Sequence, residues 1–218
     1  RFAGAEATYT IEALMHDGKA LQSGTSHFFG DGFSRAFEVT YTDKNNQPVF
    51  PFQTSWGVTT RLIGAIIMTH GDDNGLVLPP MIAPIQTVVV PIATHKEGVT
   101  EKATEVYERL NKVCRAKIDI TDQSPGWKFA EYEMKGVPLR IELGPRDIEN
   151  NVCVAVRRDN GEKTVLSLDE LETKIPELLA AVQQGLYDKA LARRESMTYD
   201  AHNLEEMTDI AENKPGFI

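Results

Sequence analysis

Two short clusters hold the side chains best suited to chemistry. The first is Gln22, Thr25 and His27, an amide, a hydroxyl and an imidazole close together, with Gly24 among them to let a ligand approach the backbone. The second is Ser55-Trp56-Gly57-Val58-Thr59-Thr60-Arg61, where hydroxyl and small residues lead to the only charge between Lys44 and Asp72. An arginine opening an apolar helix must reach solvent or pair with an anion, and its planar fork suits phosphate oxygens. Each cluster also has a plainer reading: a polar surface turn that meets only water, and a snorkelling surface arginine. A third stretch, residues 126–147, carries Lys128, Lys135, Arg140 and Arg146 against Glu131, Glu133, Glu142 and Asp147. Four charges of each sign do not make a basic patch, and a salt-bridged strand surface has the same composition. Trp127 reads more simply as a packing residue. His16, His70, His95 and His202 show no partner spacing.

The elements that must carry these residues follow from the hydrophobic rhythm. Residues 8–15 and 34–42 are rich in β-branched and aromatic types and read as strands, with residues 18–27 as a glycine-marked turn and loop between them. A second loop, Pro48 to Pro51, leads into a run through Phe52 and Trp56. Leu62, Ile63, Ile66 and Ile67 recur at helical spacing from Thr59 to about His70. Residues 71–75 stop that helix, and 76–78 form a last short strand. Pro79, Pro80 and Pro84 then mark a boundary.

Beyond the boundary, residues 87–92 form the continuous apolar run of a strand covered on both faces. Thr100 is placed to cap a helix with the stripe Ala103, Val106, Tyr107, Leu110, Val113 and Cys114. Strands are expected at 116–120, 137–143, 151–158 and 163–166. Ser167 to Glu170 make a capping box for a long helix striped by Leu171, Ile175, Leu178, Leu179, Val182 and Leu186. This alternation implies a mainly parallel, helix-covered α/β sheet. Residues 203–212 form one more short helix with Leu204, Met207 and Ile210 facing inward.

Composition bounds the function. At 218 residues, with 41% hydrophobic and 25% charged residues, the chain is long enough for two domains with ordinary cores. A net charge of −9 argues against a generic grip on nucleic acid, so any RNA contact must be local and selective. The two cysteines, Cys114 and Cys153, stand singly in apolar contexts, which suits a reducing compartment, and no ligand spacing suggests zinc. The chain opens at Arg1-Phe2-Ala3-Gly4 and closes at Lys214-Pro215-Gly216-Phe217-Ile218; both ends read as cuts in a longer sequence.

Taken together, the segments FAGAEATYTIEA, KALQSGTSHFFG, TSWGVTTRLIGAIIMTHGDDNGLVLPP, PGWKFAEYEMKGVPLRIELGPRD and VAVRRDNGEK resemble, in order, the prolyl-tRNA synthetases of class II. The resemblance runs from end to end. It implies an α+β fold: part of the antiparallel class II catalytic sheet in residues 1–80, an α/β anticodon-binding domain in 81–193, and the start of a truncated C-terminal module in 194–218. It implies ATP-dependent activation of L-proline and its transfer to proline tRNA in a cytoplasmic homodimer, with ATP as substrate and Mg2+ beside it. By the same resemblance Arg61 is the catalytic arginine, and Gln22, Thr25, Thr59 and Thr60 line the ATP site with it. His27, Phe2, Trp56 and Gly57 shape the proline pocket, and Phe129, Glu133, Arg140 and Arg146 read the anticodon bases.

Class motifs 1 and 2 and the loop that holds the proline ammonium are missing from the sequence, so the chain alone is expected to be inactive. The competing reading is a non-catalytic synthetase-like RNA-binding or accessory protein. A plain α/β metabolite-binding protein fits residues 87–190 but leaves both polar clusters unexplained.

Overall fold

The computed structural model describes residues 2–218. The described residues divide into two compact units, one formed by residues 2–69 with 197–218 and the other by residues 70–196.

The first unit is built on a three-stranded antiparallel sheet. Its strands are β1 (Ala7–Leu14), central β2 (Ala20–Gly30) and β5 (Gln53–Val58). Between β2 and β5 lie a short helix α1 (Gly32–Ala36) and a two-residue pairing of β3 (Tyr41–Thr42) with β4 (Pro48–Val49). Helix α2 (Arg61–His70) follows β5. Two sequence expectations fail here. The expected loop at 18–27 is mostly strand, because β2 satisfies its backbone groups on both edges, and that ladder overrides the weak strand preference of its polar residues and Gly24. The expected strand at 34–42 is interrupted by α1, which local bonds favour: Arg35 Nε donates to Asp31 Oδ2 at 2.8 Å, and the Ser34 hydroxyl donates to the carbonyls of Asp31 and Pro51.

In the second unit the segment after Gly75 is not the expected strand. It lies beside the turn that ends a later helix, with Leu76 N donating to the Met134 carbonyl and Leu78 N to that of Gly136. Gly136 has φ +70°, and a Cβ there would stand 2.7 Å from the Leu76 backbone, so the close approach requires glycine. The elements that follow are β6 (Thr87–Pro91), α3 (Val99–Leu110), β7 (Ala116–Ile118), α4 (Pro125–Met134), β8 (Leu139–Leu143), α5 (Pro145–Glu149), β9 (Val152–Arg157), β10 (Lys163–Ser167) and α6 (Leu171–Ser196).

These strands form one sheet in the order β10-β9-β8-β6-β7. The expectation of a mainly parallel sheet is corrected: β6 runs parallel to β7 and β8, but β8–β9 and β9–β10 are antiparallel. The tight turn at Asp159-Asn160-Gly161 joins β9 and β10 as a hairpin, which makes them antiparallel where a mainly parallel sheet was expected. β6 is wholly buried, as its unbroken apolar run requires. One face packs Val89, Leu139, Ile141, Leu143, Cys153 and Ala155 under the stripes of α3 and α6. The other packs Val88, Val90 and Val137 under Tyr132 of α4. Helix α3 is capped by Gly98 in the left-handed region rather than by Thr100.

Helix α7 (Leu204–Asn213) belongs with the first unit. Of its three expected inward residues only Ile210 is buried, while Leu204 and Met207 lie exposed. No helix among the described residues is long and apolar enough to cross a membrane.

Candidate functional site

In the first unit, strand register decides which side chains meet. Paired residues share a face of the sheet, so Thr8, His27 and Ser55 lie on one side with Thr10, Thr25 and Gly57. Gln22 sits an odd number of residues from Thr25 and would fall on the other side. A bulge restores it: Ile11 pairs with Gly24 but Glu12 with Gln22, which leaves Ser23 as the extra residue. Gln22, Thr25 and His27 thus share one face. Arg61 joins them from the start of α2, its Nη1 donating to the Gln22 carbonyl at 3.1 Å while its backbone N donates to Thr59 Oγ1 at 3.2 Å. Arg61 makes no salt bridge among the described residues, and its fork remains exposed.

His27 is held in an aromatic corner. Its Nδ1 shares a hydrogen bond with Thr8 Oγ1 at 3.1 Å, with the donor set by the imidazole tautomer. Its ring lies 4.6 Å from Phe2 and 5.8 Å from Phe29, and Phe29 is backed edge-on by Phe33 at 4.9 Å. Phe2 N in turn donates to Thr8 Oγ1 at 3.4 Å. Opposite Thr25, a Cβ placed on Gly57 would meet nothing within 4 Å, so the face is open there. Trp56 does not join this group. It pairs with Ser26, which puts it on the reverse face, where with Tyr9, Ile11, Gly24 and Val58 it lines an apolar recess of about 320 Å³. Thr59 and Thr60 are exposed at the start of α2. No group of three His, Cys, Asp or Glu side chains that could hold a metal occurs among the described residues, and the donors around Arg61 are neutral. They do not by themselves fit Mg2+.

The second unit holds a separate cleft of about 340 Å³ between α4 and the β9–β10 hairpin, lined by Glu133, Arg140, Arg157, Arg158, Asp159 and Asn160 among others. Arg140 lies with its guanidinium 4.2 Å from the Phe129 ring centroid, and donates through Nε and Nη2 to Glu142 Oε1 at 3.0 and 2.9 Å. Phe129, Glu133 and Arg140 therefore form one group. Arg146 sits exposed on α5 and is not among the residues lining the cleft.

The hairpin contributes residues that sequence reasoning did not single out. Arg158 makes a bidentate pair with Asp72 at 2.6 and 2.7 Å and donates Nε to the Glu133 carbonyl. Those Arg158 hydrogen bonds, outweighing partial burial, hold the Asp72 carboxyl below its usual range. Arg157 pairs with Asp159 in the same way, at 2.7 and 3.0 Å. The signal was present as two adjacent arginines at the end of the strand expected at 151–158, just ahead of an Asp-Asn-Gly turn.

Residues 86–178 match the family described as "Anticodon binding domain". Over all 218 residues the chain is 64% identical to the proline–tRNA ligase of Clostridium novyi (strain NT), 62% to that of Lachnoclostridium phytofermentans and 63% to that of Ruminiclostridium cellulolyticum, covering 46% of each. By sequence the chain is similar over its whole length to part of the proline–tRNA ligases. It spans about half the length of these curated ligase relatives. The Phe129–Glu133–Arg140 group and its cleft lie inside or beside the stretch that matches the anticodon-binding family, and the His27–Arg61 group lies ahead of it.

Proposed function

We propose that the enzyme to which this chain belongs ligates L-proline to proline tRNA, using ATP to form prolyl-adenylate first. The observation that carries this is the union of Gln22, Thr25 and His27 on one sheet face by the Ser23 bulge, with Arg61 reaching the Gln22 carbonyl from α2. Arg61 neutralises the ATP phosphates; a preorganised charge aimed at an anion is the main means of catalysis in such transfers. Gln22, Thr25, Thr59 and Thr60 bound the nucleotide. His27 and Phe2, with Gly57 leaving room, form the small apolar-walled pocket for the pyrrolidine ring. Residues 1–80 form part of a class II catalytic domain, 81–193 the anticodon-binding domain, and 194–218 the beginning of a further module. The parent is a cytoplasmic homodimer, and Mg2+ accompanies ATP.

Phe129, Glu133 and Arg140 meet anticodon bases, which single-stranded loops present for stacking and edge recognition. Arg146 contributes from a separate position on α5.

The isolated chain is expected to be inactive. It covers under half of its relatives, and Tyr9, Ile11, Trp56 and Val58 lie exposed on the reverse of a three-stranded sheet. The test is proline-dependent ATP–pyrophosphate exchange on the full-length enzyme and on this chain side by side. Exchange by the former alone supports the reading, and silence from both sinks it in favour of a non-catalytic RNA-binding protein.

A further inference from the structure

Helix α4 carries a second set of residues one position before the base-reading pair. Lys128 and Tyr132 precede Phe129 and Glu133, and both point inward. Lys128 is 1% exposed. Its ammonium donates to the Asp119 carbonyl at 3.0 Å and pairs with Asp119 Oδ1 at 3.5 Å, in the connection that leaves β7. The same carboxylate accepts from the backbone N and hydroxyl of Thr121 at 3.0 and 2.6 Å, and the hydroxyl of buried Tyr132 faces it from α4. The ammonium groups of Lys117 and Lys135 lie 5.5 and 5.8 Å from the centroid of the Tyr132 ring. Asp119 N donates to the Val89 carbonyl, tying this network to central strand β6.

Burying a lysine and an aspartate costs more desolvation than two aliphatic side chains would, so stability alone does not account for the arrangement. A directional network does what an apolar contact cannot: it fixes both the rotation and the axial shift of α4 on the sheet. Of the next residues along, Phe129 stacks with Arg140 of β8 and Glu133 lines the same cleft as Arg140, and both placements depend on that register.

We propose that Asp119, Lys128 and Tyr132 are positioning residues that set α4 so that Phe129 and Glu133 face an anticodon base beside Arg140. This rests on the anticodon reading above. Misplacing a binding group by about 1 Å can cost up to about 100-fold, so a partial loss of register is expected to cost about five- to tenfold.

The test uses the full-length enzyme with the double substitution Asp119→Asn/Lys128→Met, which removes both charges at nearly constant volume. Tyr132→Phe, which removes one hydroxyl, is the milder variant. Each is assayed below its own cooperative melting transition. The expected result is a KM for proline tRNA raised about fivefold or more, kcat changed less than about twofold, and a matching loss of discrimination against a transcript with altered anticodon bases. ATP–pyrophosphate exchange stays unchanged. Unchanged KM and discrimination in the folded double variant overturn the inference; if that variant does not melt cooperatively, the same result in Tyr132→Phe does so. Arg140→Ala separates the two levels. If it raises KM while the positioning variants do not, this inference alone fails. If it too leaves KM unchanged, the anticodon reading fails and takes the inference with it.

Discussion

The Arg140 guanidinium lies 4.2 Å from the centroid of the Phe129 ring, and two of its nitrogens donate to the same Glu142 oxygen. The stack and the salt bridge together restrain a side chain that would otherwise be free to wander, so its cost of ordering is met before a ligand arrives. Glu142 is itself nearly buried, and Arg140 is its partner.

That pairing predicts the effect of removing the ring. In the full-length enzyme, Phe129→Ala should raise the KM for proline tRNA about tenfold, since an aromatic platform is worth about 1–3 kcal/mol per stacked base. Arg140→Lys should cost a similar amount despite keeping the charge, because a lysine cannot reproduce the planar stack. Steady-state aminoacylation at limiting tRNA reads both.

His27 stands in a corner made by Phe2, Phe29 and the Thr8 hydroxyl. His27→Ala in the full-length enzyme should raise the KM for proline in pyrophosphate exchange about tenfold or more, while changing the KM for ATP far less. Trp56→Ala should leave the proline KM nearly unaltered in comparison, because the side chain lies on the reverse face. An equal effect from both would remove the distinction between the faces.

Much of the second unit was legible because its signals are long. The run at Thr87–Pro91 is unbrokenly apolar, and the stripes of α3 and α6 each repeat a single helical period over several turns. Helix α4 was not, since Lys128 occupies a core position and breaks the apolar pattern that would have marked a helix. The antiparallel half of the sheet was missed because the alternation of strands and helices was read as parallel without weighing that residues 159–162 are too few for a crossover. In the first unit, Gln22 to His27 were singled out for their types, but their common face depends on a bulge that no side-chain pattern encodes. Alternation along β5 separates Trp56 from His27, which the spacing of two motifs could not show.

Cys153 is fully buried, and burial, aided by the nearby Asp147 charge, pushes its thiol up to about 12. Burial also raises Cys114, partly offset by its contact with Thr87 and the charge of Arg115. Neither thiol should react quickly with iodoacetamide at about pH 8 in the folded chain, Cys153 least of all, whereas both should label in denaturant. Mass spectrometry of the labelled protein gives the answer, and rapid native labelling of Cys153 would show that β9 opens readily.

Arg109 grips Glu172 through two contacts of 2.6 Å, which lower the Glu172 carboxyl from 4.5 to about 2. A depressed carboxyl stabilises the fold above its ordinary range and loses that contribution as pH falls through the folded value. Glu172→Gln should therefore reduce stability at neutral pH, by only a few tenths to about 1 kcal/mol because the side chain is over a third exposed and screened. The difference between variant and parent should shrink below about pH 4 and vanish near about pH 2. Thermal melts across that range measure it.

On the function proposed above, this chain carries a selective reader of the proline anticodon in spite of its net charge of −9. The direct measurement is fluorescence anisotropy of a labelled anticodon stem-loop of proline tRNA, titrated with the 218-residue chain at physiological salt. Saturable binding that weakens about tenfold or more when the anticodon bases are replaced is the predicted result. Equal affinity for both loops, or no binding to either, would contradict it.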